Sequence, residues 1–256
     1  LELRQIRFAV KELARRIKSP RQCDLKNLKL LARYLLGCGN IARIVKLNEA
    51  SAVPGSKLTV DCFSDSDWAG CPETRRSTDC AVLTVGGSVL NASCQTQPGL
   101  PATSSGEAEI RGGARCGRET LFVKQLLEED FKLPLETPVI WMDSTAAICQ
   151  TKRLGFGSKL RHVEIGQFLL QEMVRTKIAR VSKICGTLNP ANSLTKHLSA
   201  QQLEQAVAWL GMIDLGKPEY VEYASATALK ISGVKDTAAP AAAARTIRDT
   251  SRKTPW

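Results

Sequence analysis

The chain has 256 residues, 43% of them hydrophobic and only 5% aromatic, so its length suits one large domain or one domain with flanking pieces and a core of Leu, Val, Ile and Ala. Its 36 Lys plus Arg against 25 Asp plus Glu give a net charge of +11, which points to a polyanionic partner. No run of about 18 apolar residues occurs, so no membrane partner is expected. The nine cysteines are odd in number and form no C-x-x-C pair. That excludes a disulfide framework or zinc site and predicts reduced thiols in an intracellular protein, cytoplasmic or nuclear and not secreted.

The chain starts at Leu1 without a signal peptide and reads as a piece of something longer. Residues 5–17 place Ile6, Val10, Leu13 and Ile17 at helical spacing. Residues 24–36 repeat the pattern with Leu25, Leu28, Leu31 and Leu35; Asp24 is the expected N-cap and Gly37-Cys38-Gly39 the end. Residues 57–63 predict a strand, with Asp65 and Asp67 at its end. "AVLTV-GG-SVLNAS" predicts a hairpin turning at Gly86-Gly87, so three consecutive strands are expected between about 58 and 95.

Residues 104–130 predict a long helix capped by Ser104 or Ser105. Gly112, Gly113 and Gly117 weaken it by roughly 1 kcal/mol each, which implies either close packing or a drifting sequence. Residues 138–142 predict a short buried strand closed by Asp143, with a short helix after it. Residues 162–175 predict an amphipathic helix, 179–185 a strand, and 189–212 two helical pieces. From about 217 the chain turns Ala- and Thr-rich and is expected to be mostly disordered. The order βββ-α-β-α-α-β-α predicts a mixed α/β fold without internal repeats.

Asp65 and Asp67, two apart on a strand, share a face and repel each other unless a cation or solvent lies between them. Glu107, Glu109, Asp143 and Glu164 also lie at element boundaries, where α/β sheets collect ligands. For one acid alone, helix capping is the commoner role. Together they suggest Mg²⁺, which takes carboxylate oxygens. Two such ions roughly 4 Å apart can activate a water and stabilise the leaving oxygen of a phosphodiester.

In order, "FSDSDWAGCPETRRST", "GGS", "SSGEAEI", "VIWMDSTAAI", "LRHVEIGQFLLQEMV" and "NPANSLTKHL" resemble the ribonuclease H region of Copia-type retrotransposon Pol polyproteins. "RQIRFAVKELARRIKSP" and "LKLLARYLLG" resemble the reverse transcriptase tail and connecting segment of the same polyproteins. The resemblance implies helices from that tail over 1–50, a ribonuclease H-like domain over 57–213 with a mixed five-stranded sheet and flanking helices, and a separate tail over 217–256. It implies two Mg²⁺ ions, replaceable by Mn²⁺, held by four carboxylates. It implies cleavage of the RNA strand of RNA–DNA hybrids during reverse transcription, beside the upstream reverse transcriptase domain.

On the matching positions, the first ligand is Asp65, with Asp67 as its alternative, and the third is Asp143. Glu107 and Glu109 lie about 200° apart on a helix, so only one can face the site. The family's spacing from Ser104 favours Glu109. Asn192 stands where the fourth acid is expected; it offers a neutral oxygen, and impaired activity is the consequence. Ile110 and Gly106 also depart from the family's Tyr and Thr. Glu164 compensates only if the fold brings it close. The alternative reading is a catalytically eroded nucleic-acid-binding remnant. An integrase or transposase would carry a Glu about 35 residues after its second Asp, where this chain has Ile178.

Arg75, Arg76, Lys152, Arg153, Lys159, Arg161 and His162 are candidate backbone contacts. Arg111, Arg115 and Arg118 form a stripe that is either a substrate ridge or a solvated face. Hybrids are recognised by shape and 2′-hydroxyls, so little sequence preference is expected.

Overall fold

The computed structural model describes residues 3–38, 41–153 and 168–214. A 3₁₀ turn at Arg4–Ile6 leads into α1 (Arg7–Ala14), followed by α2 (Gln22–Gly37), β1 (Ile41–Arg43) and a short α3 (Glu49–Ala52). Then come β2 (Val60–Asp67), β3 (Thr78–Val85), β4 (Ser88–Thr96), α4 (Ser105–Gln125), β5 (Val139–Met142), α5 (Thr145–Thr151), α6 (Phe168–Arg175) and β6 (Arg180–Lys183). A 3₁₀ segment at Pro190–Leu194, α7 (Ala200–Trp209) and β7 (Met212–Asp214) complete the described chain.

Five strands form one sheet in the order β4-β3-β2-β5-β6. The first three are antiparallel neighbours, whereas β5 runs parallel to β2 and β6 parallel to β5. Gly86 and Gly87 both take positive φ, +56° and +82°, as a two-residue turn matching the strand twist requires. β3 is buried over almost its whole length because strands flank both edges and other elements cover both faces.

One face packs Cys62, Leu83, Ile140 and Met142 against Cys116 of α4 and Leu170 and Met173 of α6. The other packs Phe63, Val82 and Trp141 against Leu194, Val207, Leu210 and Met212. The glycines of α4 mark close packing. A Cβ on Gly112 would lie 2.5 Å from Ser66 Oγ and 3.1 Å from Ser64 Oγ, and one on Gly113 2.8 Å from Met142 Cε. Helix and sheet approach so closely there that an added Cβ would force a neighbouring side chain to shift.

Several boundaries differ from the sequence reading. β2 runs to Asp67 rather than ending at 63, because Ser64 to Asp67 continue the ladder with β3. Asp24 sits inside the first turn of α2 and accepts from the Arg21 backbone N–H at 2.9 Å, so it braces the helix start without being its N-cap. The long helix leaves α geometry at Leu126–Asp130, a π turn. β1 and β7 pair antiparallel in a second, two-stranded sheet. Three residues each are too few to show a period. Residues 162–167 of the helix expected over 162–175, and the tail from 217, lie outside the described residues.

The N-terminal segment packs on the sheet. Arg4 is fully buried and donates to Leu90 O and Leu210 O at 3.0 and 3.1 Å. Lys11 donates to Thr78 Oγ1 at 2.6 Å. Leu25, Leu28, Leu30 and Leu36 of α2 remain exposed. None of the nine cysteines is in a disulfide. Among the described residues, no helix is long and apolar enough to cross a membrane.

Candidate active site

The parallel register pairs Phe63 with Trp141, so Asp65 and Asp143, each two residues on, come to the same end of adjacent strands. α4 brings a third acid over that end. One carboxylate oxygen from each of Asp65, Glu109 and Asp143 lies within 4.8 Å of the others. Which glutamate faces inward is set by the helix start. Ser104 Oγ accepts from Glu107 N at 3.2 Å. The Glu107 carboxylate turns back to accept from Thr103 N and Oγ1, both at 2.8 Å, and pairs with Arg111 at 2.6 Å. That leaves Glu109 on the site face. Its Oε1 accepts from Ser66 N at 3.3 Å, and its Oε2 is buried with no hydrogen-bond partner.

Burial raises the Asp65 pKa to about 6; the Thr195 hydroxyl, donating to Oδ2 at 2.7 Å, opposes the rise and the Asp143 charge adds to it. Burial, then the charges of Asp65 and Asp143, raise Glu109 to about 9. Three converging acids, one with an orphaned buried oxygen, fit a divalent cation: it would relieve their repulsion and satisfy the orphan.

Asn192 sits in the 3₁₀ segment Pro190–Leu194, linked to the surroundings of both strand-end acids. Its Nδ2 donates to Gly186 O at 3.2 Å. Gly186 abuts Asp143, where an added Cβ would stand 3.0 Å from Oδ2. The Asn192 backbone carbonyl accepts from Thr195 Oγ1 at 3.1 Å, and that hydroxyl also meets Asp65. Asn189 fixes the segment by donating to Ser64 O at 2.8 Å. Sequence reasoning missed Thr195 and Lys183, which donates to Asp143 O and to Thr145 Oγ1 at 2.8 Å. Thr195 stood inside a quoted motif; Lys183 carried no signal.

Asp67 is outside the trio. It accepts from the Thr78 N–H and packs on Gly70, bracing the turn after β2. Arg111 is held by Glu107 and by Leu100 O, and Arg115 by Asp79 at 2.7 Å and Glu119 at 3.4 Å. Only Arg118 of that stripe is exposed. Arg75, Arg76, Lys152 and Arg153 are exposed. Lys159, Arg161, His162 and Glu164 lie outside the described residues.

No protein-family model matches the chain. It is 28% identical over 207 residues to the "Retrovirus-related Pol polyprotein from transposon RE1" of Arabidopsis thaliana, covering 81% of this chain and 14% of that protein. Against the "Retrovirus-related Pol polyprotein from transposon TNT 1-94" of Nicotiana tabacum it is 26% identical, covering 81% of this chain and 15% of that protein. An uncharacterized mitochondrial protein of Arabidopsis thaliana is 35% identical over 114 residues, 44% of each chain. The chain thus spans about a seventh of the length of the Pol polyproteins it matches. Among solved structures, the N-terminal ribonuclease H domain of rv2228c from Mycobacterium tuberculosis has a TM-score of 0.39 at 15% identity, covering 59% of this chain and 97% of that one. LC11-RNase H1, solved in complex with an RNA/DNA hybrid, has a TM-score of 0.37 at 14% identity, covering 54% and 93%. Over four fifths of its length the chain is thus similar to retrovirus-related Pol polyproteins of transposons, and its mixed five-stranded sheet has the strand order of a ribonuclease H-like fold.

Proposed function

We propose that this domain cleaves the RNA strand of RNA–DNA hybrids by metal-assisted hydrolysis of the phosphodiester, during reverse transcription. The observation that carries the reading is the convergence of Asp65, Glu109 and Asp143 within 4.8 Å at the ends of two parallel strands. These acids would hold divalent cations, Mg²⁺ as a pair of ions with Mn²⁺ as substitute, and Asn192 would add a neutral oxygen. Such ions, when bound, neutralise the trio, orient the phosphodiester and make water a better nucleophile.

The chain's own residues prepare that site. The Thr195 hydroxyl holds Asp65 Oδ2, so the carboxylate presents its other oxygen. Ser66 N–H holds Glu109 Oε1 and leaves Oε2 to seek a cation. The missing side chain of Gly186 gives Asp143 room. Exposed Arg75, Arg76, Lys152 and Arg153 supply phosphate contacts, and Lys159, Arg161 and His162 are assigned the same task. The upstream reverse transcriptase domain is the polypeptide partner, and the setting is intracellular.

Asn192 motivates a second reading, a remnant that binds hybrids without turnover. Its Nδ2 is tied to Gly186 O and it brings no charge. A labelled RNA–DNA hybrid incubated with Mg²⁺ or Mn²⁺, beside single-stranded RNA and duplex DNA, separates the two. Cutting of the RNA strand in the hybrid alone supports the enzyme. Hybrid binding by folded protein without cutting supports the remnant, and cutting restored by Asn192→Asp identifies erosion as the cause.

A further inference from the structure

Trp68 stands one residue past β2 and three after Asp65, and it is 52% exposed. Its indole N–H donates to Ala102 O at 2.9 Å. The bond grips the ring by its edge and leaves much of it open to solvent. The acceptor is held firmly. Gln97 N donates to Ser77 O, Gln97 Nε2 to Ala108 O and Arg111 to Leu100 O, each at 2.8 Å. These bonds pin the loop between β4 and α4 to its surroundings, and Leu100 projects from it at 82% exposure.

The loop that follows Trp68 is equally closed. Ala69 N donates to Ser77 Oγ at 3.0 Å and Cys71 N to Arg76 O at 3.2 Å. It displays Arg75 and Arg76, both exposed, and neither side chain has a hydrogen bond or ion pair among the described residues. A clamped aromatic ring on the same loop as exposed guanidinium groups suits a nucleic-acid strand, which offers π-faces and phosphates together. A protein partner would want a broader apolar patch.

We propose that Trp68 is a stacking platform for the nucleic acid in this site, its ring packing on a base or sugar close to the cleaved bond. The inference rests on the hybrid-cleavage reading and adds a binding contact to it. Three residues of chain put Trp68 at most about 10 Å from Asp65, within roughly three base steps along a strand. Stacking on any base is sequence-tolerant, in keeping with recognition by shape.

The test uses the full chain and a fluorescein-labelled RNA–DNA hybrid in EDTA, so that binding is read without cutting. Fluorescence anisotropy is measured for wild type, Trp68→Ala, Trp68→Phe and Arg75→Ala/Arg76→Ala, with thermal melting as the check on folding. Trp68→Ala weakens binding roughly 5- to 150-fold, or ~1–3 kcal/mol at 1.4 kcal/mol per factor of ten. Trp68→Phe, which keeps a ring, retains most of the affinity. The slope of log K against log salt is unchanged in Trp68→Ala but falls by about one per arginine removed. Hybrid quenches tryptophan emission in wild type, and less in Trp68→Phe. Unchanged affinity in Trp68→Ala overturns the proposal, as does equal loss in Trp68→Ala and Trp68→Phe, which would make the Ala102 hydrogen bond the cause. Wild type that binds hybrid in EDTA yet never cuts it with Mg²⁺ refutes the cleavage reading, while the same titrations still decide Trp68. Wild type that binds no hybrid overturns both.

Discussion

Glu109→Gln should make the metal-free protein more stable and the metal-bound protein no better. Glu109 is 7% exposed, and burial with two neighbouring carboxylates raises its pKa from 4.5 to about 9. The folded state therefore keeps a proton that the unfolded chain releases above pH 4.5. A raised carboxyl pKa gives stability that is complete below the unfolded value and is lost as pH rises toward the folded one. At pH 7 the loss is about 2.5 units at 1.36 kcal/mol each, or ~3 kcal/mol. Glutamine occupies the same space and has no proton to hold. Urea denaturation in EDTA, at half-unit steps from pH 5.5 to 7.5, should show the variant gaining on wild type by ~1.4 kcal/mol per pH unit. Saturating Mg²⁺ should stabilise wild type and do little for the variant. A gap that stays flat with pH, or a variant less stable than wild type in EDTA at pH 7.5, refutes the picture of a repelled buried acid awaiting a cation.

Asn192→Asp should lower the melting temperature in EDTA, because a carboxylate replaces the donor to Gly186 O beside Asp143; added Mg²⁺ should raise that temperature by more than it does for wild type. Thr195→Val removes the hydroxyl that opposes the rise of the Asp65 pKa, so the acid limb of the cleavage–pH profile should move to higher pH; an unmoved limb rejects the role. Gly112→Ala should destabilise by about 1–3 kcal/mol, despite alanine's better helix propensity, since its Cβ would stand 2.5 Å from Ser66 Oγ. Gly117→Ala meets flexible side-chain ends, Met173 Sδ at 3.3 Å and Leu170 Cδ1 at 3.6 Å, and should be tolerated; equal melting temperatures for the two variants would remove the claim that α4 needs close approach at Gly112.

The parts of the fold that were legible share one property: their signals are local. The Gly86-Gly87 turn needs two positive φ values and announces itself. The apolar runs of β2 and β5 lie within single segments. The helical angle says only that one of Glu107 and Glu109 can face the site; the resemblance favoured Glu109, and in the structure Arg111 pairs with Glu107. What stayed hidden depends on distant partners. The β1–β7 ladder joins Ile41 to Asp214, and no pattern within three residues records a partner so far along the chain. The arginine stripe of α4 suggested a ridge or a solvated face, whereas Asp79 on β3 claims Arg115. Thr195 becomes meaningful only when the chain returns 130 residues later to Asp65.

Charge balance ties Asn192 to the substrate. On the proposed reading, two divalent cations bring four positive charges to a site where Asp65, Glu109 and Asp143 supply three negative ones. A fourth acid would close that balance within the protein. With asparagine in its place the remaining negative charge has to come from the phosphodiester. The acid trio would then hold one ion by itself, a second would need the phosphodiester to complete its charge, and by linkage the hybrid would bind better in the presence of the cation. The same residue steadies the metal-free fold through its donor to Gly186 O, where an aspartate would bring a fourth acid next to the segment that abuts Asp143. Stability without metal and metal affinity without substrate thus pull in opposite directions at position 192, and asparagine sits on the side of stability.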